Sequence, residues 1–311
     1  MFKEKILLLI KENYFKKYKN IYCDAIVDRI KEELSILEKY DSFELLYETY
    51  LFADELRKEK IEYIFLSNFD AFFITFLLDL VKVNPLPTHY ICYDCNKVIF
   101  VDSYYSCLDM PEQNCDNCCK QMSSDGFNIP INLKIATFNK SSSVFYIDTN
   151  YNKSILEYLE KDPNINIVND EEIIIQKNNL DLFVLYSNEF IISNYKLSNS
   201  FYETIKLISK SFNINENENI EDYELSREDL FLYLNEKYKN TELAVDITEN
   251  VRKGRLHSET NYSFKDTNSI YNFINSNENE AIISKFAKIK YLSAKSFLCQ
   301  VAFYYKKTLV N

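Results

Sequence analysis

Cys92-Tyr-Asp-Cys95 and, after nineteen intervening residues, Cys115-Asp-Asn-Cys118 are two C-x2-C pairs at the separation typical of zinc ribbons. Each pair turns two thiolates toward one point, and four such sulfurs complete a tetrahedron with no open position for a substrate. The spacing therefore predicts a structural zinc held by Cys92, Cys95, Cys115 and Cys118. A disulfide framework is the other reading of the same cysteines, but a chain of 311 residues in a reducing compartment has no need of staples. Cys119 adjoins Cys118, so either thiol could be the fourth ligand. Cys107 is a spare thiol, and Cys23 and Cys299 read as core residues.

Around these pairs the character of the chain changes. Residues 84 to 131 hold four of the five prolines and one of only two glycines, which marks a compact irregular module. Upstream, Ile26, Ile30, Leu34 and Leu37 recur at helical spacing. Three helices are expected there, broken near Lys19-Asn20 and Asp41-Ser42. Downstream, β-rich runs at Ser143 to Ile147, Glu171 to Ile175 and Leu182 to Tyr186 alternate with helical patterns at 154 to 161 and 201 to 212. Further helices are expected at 226 to 238, 241 to 253, 267 to 275 and 279 to 307. The fold class is α+β, mostly helical, with a small mixed sheet and an inserted four-cysteine module. Its divisions are 1 to 83 (helical), 84 to 132 (zinc-binding), 133 to 212 (mixed α/β), 213 to 240 (acidic linker and helix) and 241 to 311 (helical).

Composition excludes more than it identifies. Two glycines, Gly126 and Gly254, cannot build a phosphate-cradling loop or a dinucleotide fingerprint. Two histidines, His89 and His257, leave little material for a histidine triad or an all-histidine metal site. The longest apolar run, Ala71 to Val81, is interrupted by Asp79 and is too short to span a bilayer. With no signal-like N-terminal stretch, a soluble cytoplasmic protein without membrane contact is expected. A net charge of −11 repels nucleic acid as a whole, so any DNA contact must be local. The charge is uneven, with seven acids between Glu216 and Asp229, and six lysines but no acid in residues 281 to 311. On a helix over 279 to 307, Lys285, Lys288 and Lys295 would share a face. A solvated helix surface explains the same charges.

The residues flanking the cysteines resemble a known family. Asn84-Pro-Leu-Pro-Thr-His-Tyr-Ile-Cys92, Met110-Pro-Glu-Gln-Asn-Cys115 and Asp125-Gly-Phe-Asn-Ile-Pro130 are similar to the four-cysteine module of PolC-type DNA polymerase III alpha subunits. Asp28-Arg-Ile-Lys-Glu-Glu-Leu34, Val251-Arg-Lys-Gly254 and Lys288-Ile-Lys-Tyr291 resemble other parts of that polymerase core, in the same order. The resemblance implies that the mixed sheet is palm-like, that the chain is shortened, and that Arg252, Lys253 and Arg255 join Lys285, Lys288 and Lys295. It also implies losses of chemistry. The family's Asp-x-Asp pair corresponds to Tyr146-Ile-Asp148 and its third aspartate to Tyr195, leaving Asp148 as the one remnant. Where the family has a Gly-Ser-Arg-Gly loop, this chain reads Ile64-Phe-Leu-Ser-Asn-Phe-Asp-Ala-Phe72, and its Lys-Ala-His reads Lys295-Ser-Phe297. A single carboxylate leaves magnesium mostly hydrated.

The leading expectation is a non-catalytic polymerase-core homologue acting in replication by binding a protein or, weakly, DNA. The alternative is a diverged polymerase or nucleotidyltransferase using Mg2+ at Asp148 with Glu171, Glu172 or Asp181. A third reading is a zinc-stabilised interaction domain that retains only the shape. Asn179-Leu-Asp-Leu-Phe183 resembles the pentapeptide by which bacterial replication proteins dock on the sliding clamp, although a buried strand explains the same residues Asn179, Leu180, Asp181, Leu182 and Phe183.

Overall fold

A computed structural model describes residues 1–138, 143–147, 166–167, 172–177, 180–186, 200–213, 225–253, 286, 289 and 292–310. They fall into two compact units, Met1–Tyr195 and Lys196–Asn311.

The first unit opens with α1 (Phe2–Tyr18), α2 (Asp24–Lys39) and α3 (Phe43–Lys58). The breaks fall where the sequence places them. Lys19 and Asp41 have φ of 57° and 48°, left-handed conformations that end each helix. The inward face of α2 differs from the simple apolar stripe, because Ile26, Ile36 and Leu37 are joined by a fully buried Glu33 while Ile30 and Leu34 are half-buried. Glu33 Oε1 accepts from Arg29 Nε at 2.6 Å and from Phe73 N at 2.7 Å, and its Oε2 accepts from Ile74 N at 2.9 Å. A carboxylate on α2 thus caps the start of α4 (Phe73–Leu77), whose first amides have no partner within their own helix.

Between α3 and α4, β1 (Tyr63–Ser67) enters the sheet. After α4 comes the cysteine module with β2 (His89–Cys92), β3 (Lys97–Phe100) and β4 (Ser123–Asp125), an antiparallel sheet with β2 in the middle. The chain continues through α5 (Asn132–Thr137), β5 (Ser143–Ile147), β6 (Asn166–Ile167), β7 (Glu172–Lys177) and β8 (Leu180–Tyr186). The larger sheet has the order β1-β5-β8-β7-β6, with β5 and β8 parallel and the other neighbours antiparallel, so it is mixed as expected. Ser143, Phe145 and Ile147 are buried along β5, alternating with half-buried Val144 and Tyr146.

The second unit contains α6 (Phe201–Asn213), α7 (Arg227–Tyr238), α8 (Thr241–Arg252) and α9 (Lys295–Val310). Helix 201–213 falls in the same unit as the C-terminal helices. Ser226 caps α7 by accepting from Asp229 N, and Asn240 caps α8 by accepting from Leu243 N. The expected continuous helix from 279 to 307 is corrected, since Leu292 to Ala294 are not helical. Ser293 O accepts from Arg227 N at 3.0 Å and Glu228 Oε2 accepts from Lys295 N at 2.7 Å, which pins the turn and starts α9 afresh. The helices expected at 154 to 161 and 267 to 275 lie outside the described residues. Among the described residues, no helix is long and apolar enough to cross a membrane.

Candidate metal centre

The two cysteine pairs occupy matching turns. Cys92 ends β2, and the chain reverses through Tyr93 to Cys95 before Asn96, at φ 51°, redirects it into β3. The second turn runs from Cys115 to Cys118 and is followed by Cys119 at φ 58°. Its ends are closed by Cys119 N donating to Cys115 O and Cys115 N to Lys120 O, both at 2.8 Å. Each pair is thus trailed by one left-handed residue, a position open to asparagine and awkward for cysteine. This geometry makes Cys119 the turn residue and directs Cys118 inward. Cys119 is exposed, whereas Cys92 and Cys115 are buried and Cys95 and Cys118 half-buried. Cys107 is buried, Cys299 fully so, and Cys23 is only half-buried, not the core residue expected.

The sulfurs of Cys92, Cys95, Cys115 and Cys118 all lie within 4.8 Å of one another, and those of Cys92 and Cys118 are 3.5 Å apart. Tetrahedral zinc with Zn–S near 2.3 Å places its sulfurs about 3.8 Å apart, so the cluster has room for such an ion at its centre. Electrostatics point the same way. Backbone N–H groups of Cys118 and then Asn117 aim at Cys115 and draw its thiol down to about 7. Contact with Cys118 above all, then burial, pushes Cys95 up to about 12, and burial raises Cys92. Four crowded sulfurs ionise together only around a cation. The four cysteines can bind a metal ion, and the donor set is compatible with zinc.

Behind the cysteines lies a polar network absent from the sequence reading. Fully buried His89 places Nδ1 at 2.7 Å from Pro87 O, a group that can only accept, so Nδ1 carries the proton and Nε2 accepts from Tyr18 Oη at 3.4 Å. Asn84 Nδ2 donates to Tyr18 Oη at 2.8 Å and to Asp125 Oδ2 at 2.6 Å. Burial lowers His89 below the usual imidazole range despite Asp125 nearby, which keeps the ring neutral. The network ties the module's central strand to α1. Gly126 then runs against the Asn84 to Pro87 segment, and Phe127, Asn128 and Ile129 donate to the carbonyls of Asn84, Leu86 and Pro85 at 2.8 to 3.0 Å. With φ 96°, a side chain at Gly126 would place its Cβ 2.4 Å from Pro87 O. An open cleft of about 590 Å³ lies between α2 and the module, floored by Leu86, Pro87 and Phe100.

The remaining sequence-predicted residues are dispersed or differently employed. Asp148, Tyr195, Asn179, Arg255, Lys285 and Lys288 lie outside the described residues. Leu180, Asp181, Leu182 and Phe183 form part of β8, where all four pair with β7 and Leu182 and Phe183 also pair with β5. Lys295 is corrected as a DNA contact. Its side chain is 4% exposed and its Nζ lies 3.1 Å from Asp229 Oδ1. Arg252 and Lys253 both face Glu249, at 2.8 and 3.7 Å.

Comparison with known proteins gives the chain its context. Over 152 residues, 46% of the chain, it is 28% identical to the DNA polymerase III PolC-type of Staphylococcus saprophyticus, of which the match covers 10%. The protein of the same name from Staphylococcus haemolyticus is 28% identical over 154 residues, 48% of the chain and 10% of the relative. A third, from Caldanaerobacter subterraneus, is 45% identical over 56 residues, 17% of the chain and 4% of the relative. No family model matches the chain. The chain therefore contains a PolC-related region and matches about a tenth of the length of the two staphylococcal relatives.

Proposed function

We propose that this chain is a polymerase-core homologue, cytoplasmic, that serves DNA replication by binding instead of nucleotide transfer, with zinc as the structural ion of its four-cysteine module. The observation that carries this reading is the packing of residues 64 to 72. A loop that cradles a triphosphate needs accessible amides and a positive charge. Here Phe65, Phe69, Ala71 and Phe72 are fully buried, and the one acid among them, Asp70, is paired with the equally buried Lys134 at 2.7 Å. Most of the segment is core, with Leu66, Ser67 and Asn68 half-buried, and the cation beside it is already paired.

The palm-like reading of the sheet is consistent with this loss. Tyr146 stands in β5 where the resemblance places the first metal-binding aspartate. A phenol at that place leaves Asp148 without its near neighbour for bridging two magnesium ions. Primer extension on primed template with magnesium or manganese tests the proposal. No incorporation above a buffer blank is expected, and incorporation that Asp148→Asn abolishes would overturn it.

One observation favours the catalytic alternative. Glu172 pairs with Leu185, and Leu185 pairs with Tyr146, so an acid stands in register with the lost aspartate, two strands away. Two strand spacings are about 9.6 Å, too far for both residues to hold one metal pair about 4 Å apart without a further ligand between them. Asp181 pairs with Gln176 at the other end of the sheet and does not help. For DNA, Arg252 and Lys253 share their acid, so contact is weak and vanishes by physiological salt.

A further inference from the structure

Helix α1 is apolar on two opposite faces. Ile6, Ile10 and Tyr18 are buried on one, against the rest of the first unit. On the other, Met1, Leu8 and Phe15 are 79%, 58% and 57% exposed. Their spacing of seven puts them in one line along the helix. Glu4 and Lys11 border that line on one side, Lys5 and Glu12 on the other, and all four are exposed. Lys5 is held on its flank with Nζ 4.6 Å from the centre of the Tyr47 ring.

A helix that keeps three large apolar side chains in a row in water presents a seam, and the flanking charges say what fits it. We propose that the seam pairs two copies of this chain, α1 against α1 and antiparallel, about a two-fold axis at Leu8. In that arrangement Leu8 meets Leu8, and Met1 meets Phe15 at each end. A two-fold axis sets each flank against the same flank of the other copy with its direction reversed. Glu4 then faces Lys11 and Lys5 faces Glu12, so every flanking acid meets a base. The antiparallel direction also opposes the two helix dipoles. Three side chains make an interface below the standard size, so the dimer is weak, with Kd on the order of 10–100 µM.

Sedimentation of the full chain from roughly 1 to 500 µM tests this. A shift toward twice the monomer mass is expected, with Leu8→Lys weakening it at least tenfold while circular dichroism stays unchanged. Glu4→Lys alone should weaken association, and adding Lys11→Glu in the same chain should restore it. A parallel pair would instead place Glu4 near Lys5 and Lys11 near Glu12, so the double exchange would make it worse. A monomer at every concentration, a dimer indifferent to Leu8→Lys, or a double exchange that fails to rescue would each overturn the proposal.

Discussion

Residues 61 to 83 and the module at 84 to 132 are neighbours in the chain and hold together by different forces. In the first, Phe65, Phe69, Phe72, Phe73, Ile74 and Leu77 are all fully buried, and each buried phenylalanine stabilises by about 2–3 kcal/mol. In the second, the cluster around the cysteines buries only Tyr90, Cys92, Cys115 and Met122, with partly buried neighbours such as Ile99 and Met110. Such a cluster is too small to offset the ordering of its loops, and a metal bound by the four sulfurs would make up the difference. One stretch is a core that happens to carry a strand and a short helix; the other is a set of turns organised around four sulfurs. Polar contacts from His89 and Asn84 tie the module to Tyr18 of α1.

The largest effect should come from removing the metal. Cys115→Ser, or chelation of the native chain, should drop bound zinc from about one equivalent to none and raise amide exchange throughout 84 to 132. Amides of 61 to 83 should keep most of their protection, because their burial does not depend on the sulfurs. Equal loss of protection in both stretches would break the comparison and make the metal the organiser of the whole unit.

An intermediate effect is expected inside the module, where Gly126 runs against residues 84 to 87. Gly126→Ala must push a Cβ into Pro87 O at 2.4 Å and hold a side chain at φ 96°. It should cost about 2–4 kcal/mol in denaturant unfolding, with zinc still bound. Retained stability would show that the backbone at 84 to 87 yields more easily than its hydrogen bonds to 127 to 129 suggest.

Much of this was open to a sequence reading. Helix ends at Lys19 and Asp41, strands at 143 to 147 and 180 to 186, and the cysteine spacing all express local pattern, which is where single-sequence reasoning is strongest. The misreadings are nonlocal. Glu33 reads as the solvated side of α2, and only the arrival of Phe73 and Ile74 forty residues later makes it a buried cap. Lys295 reads as surface charge until Asp229 meets it. The unbroken helix through 293 fails for the same reason, since its interruption is a hydrogen bond from Arg227. Cys118 and Cys119 cannot be told apart by spacing, and their backbone torsions separate them.

That distinction gives the smallest prediction. Cys119→Gly relieves a left-handed cysteine on an exposed turn, so it should stabilise the module by up to about 1 kcal/mol and leave zinc content unchanged. Loss of zinc in this variant would move the fourth ligand from Cys118 to Cys119.

The antiparallel pairing of β1 with β5 joins Ser67 to Ser143, and the whole cysteine module lies in the interval between them. During synthesis β1 leaves the ribosome well before its partner exists and must wait as an unpaired edge. An interval that has already condensed brings its two ends together at lower entropic cost than a slack one. A metal captured by the nascent module would therefore hasten sheet assembly, and a chain deprived of it would falter as a late-folding, aggregation-prone intermediate.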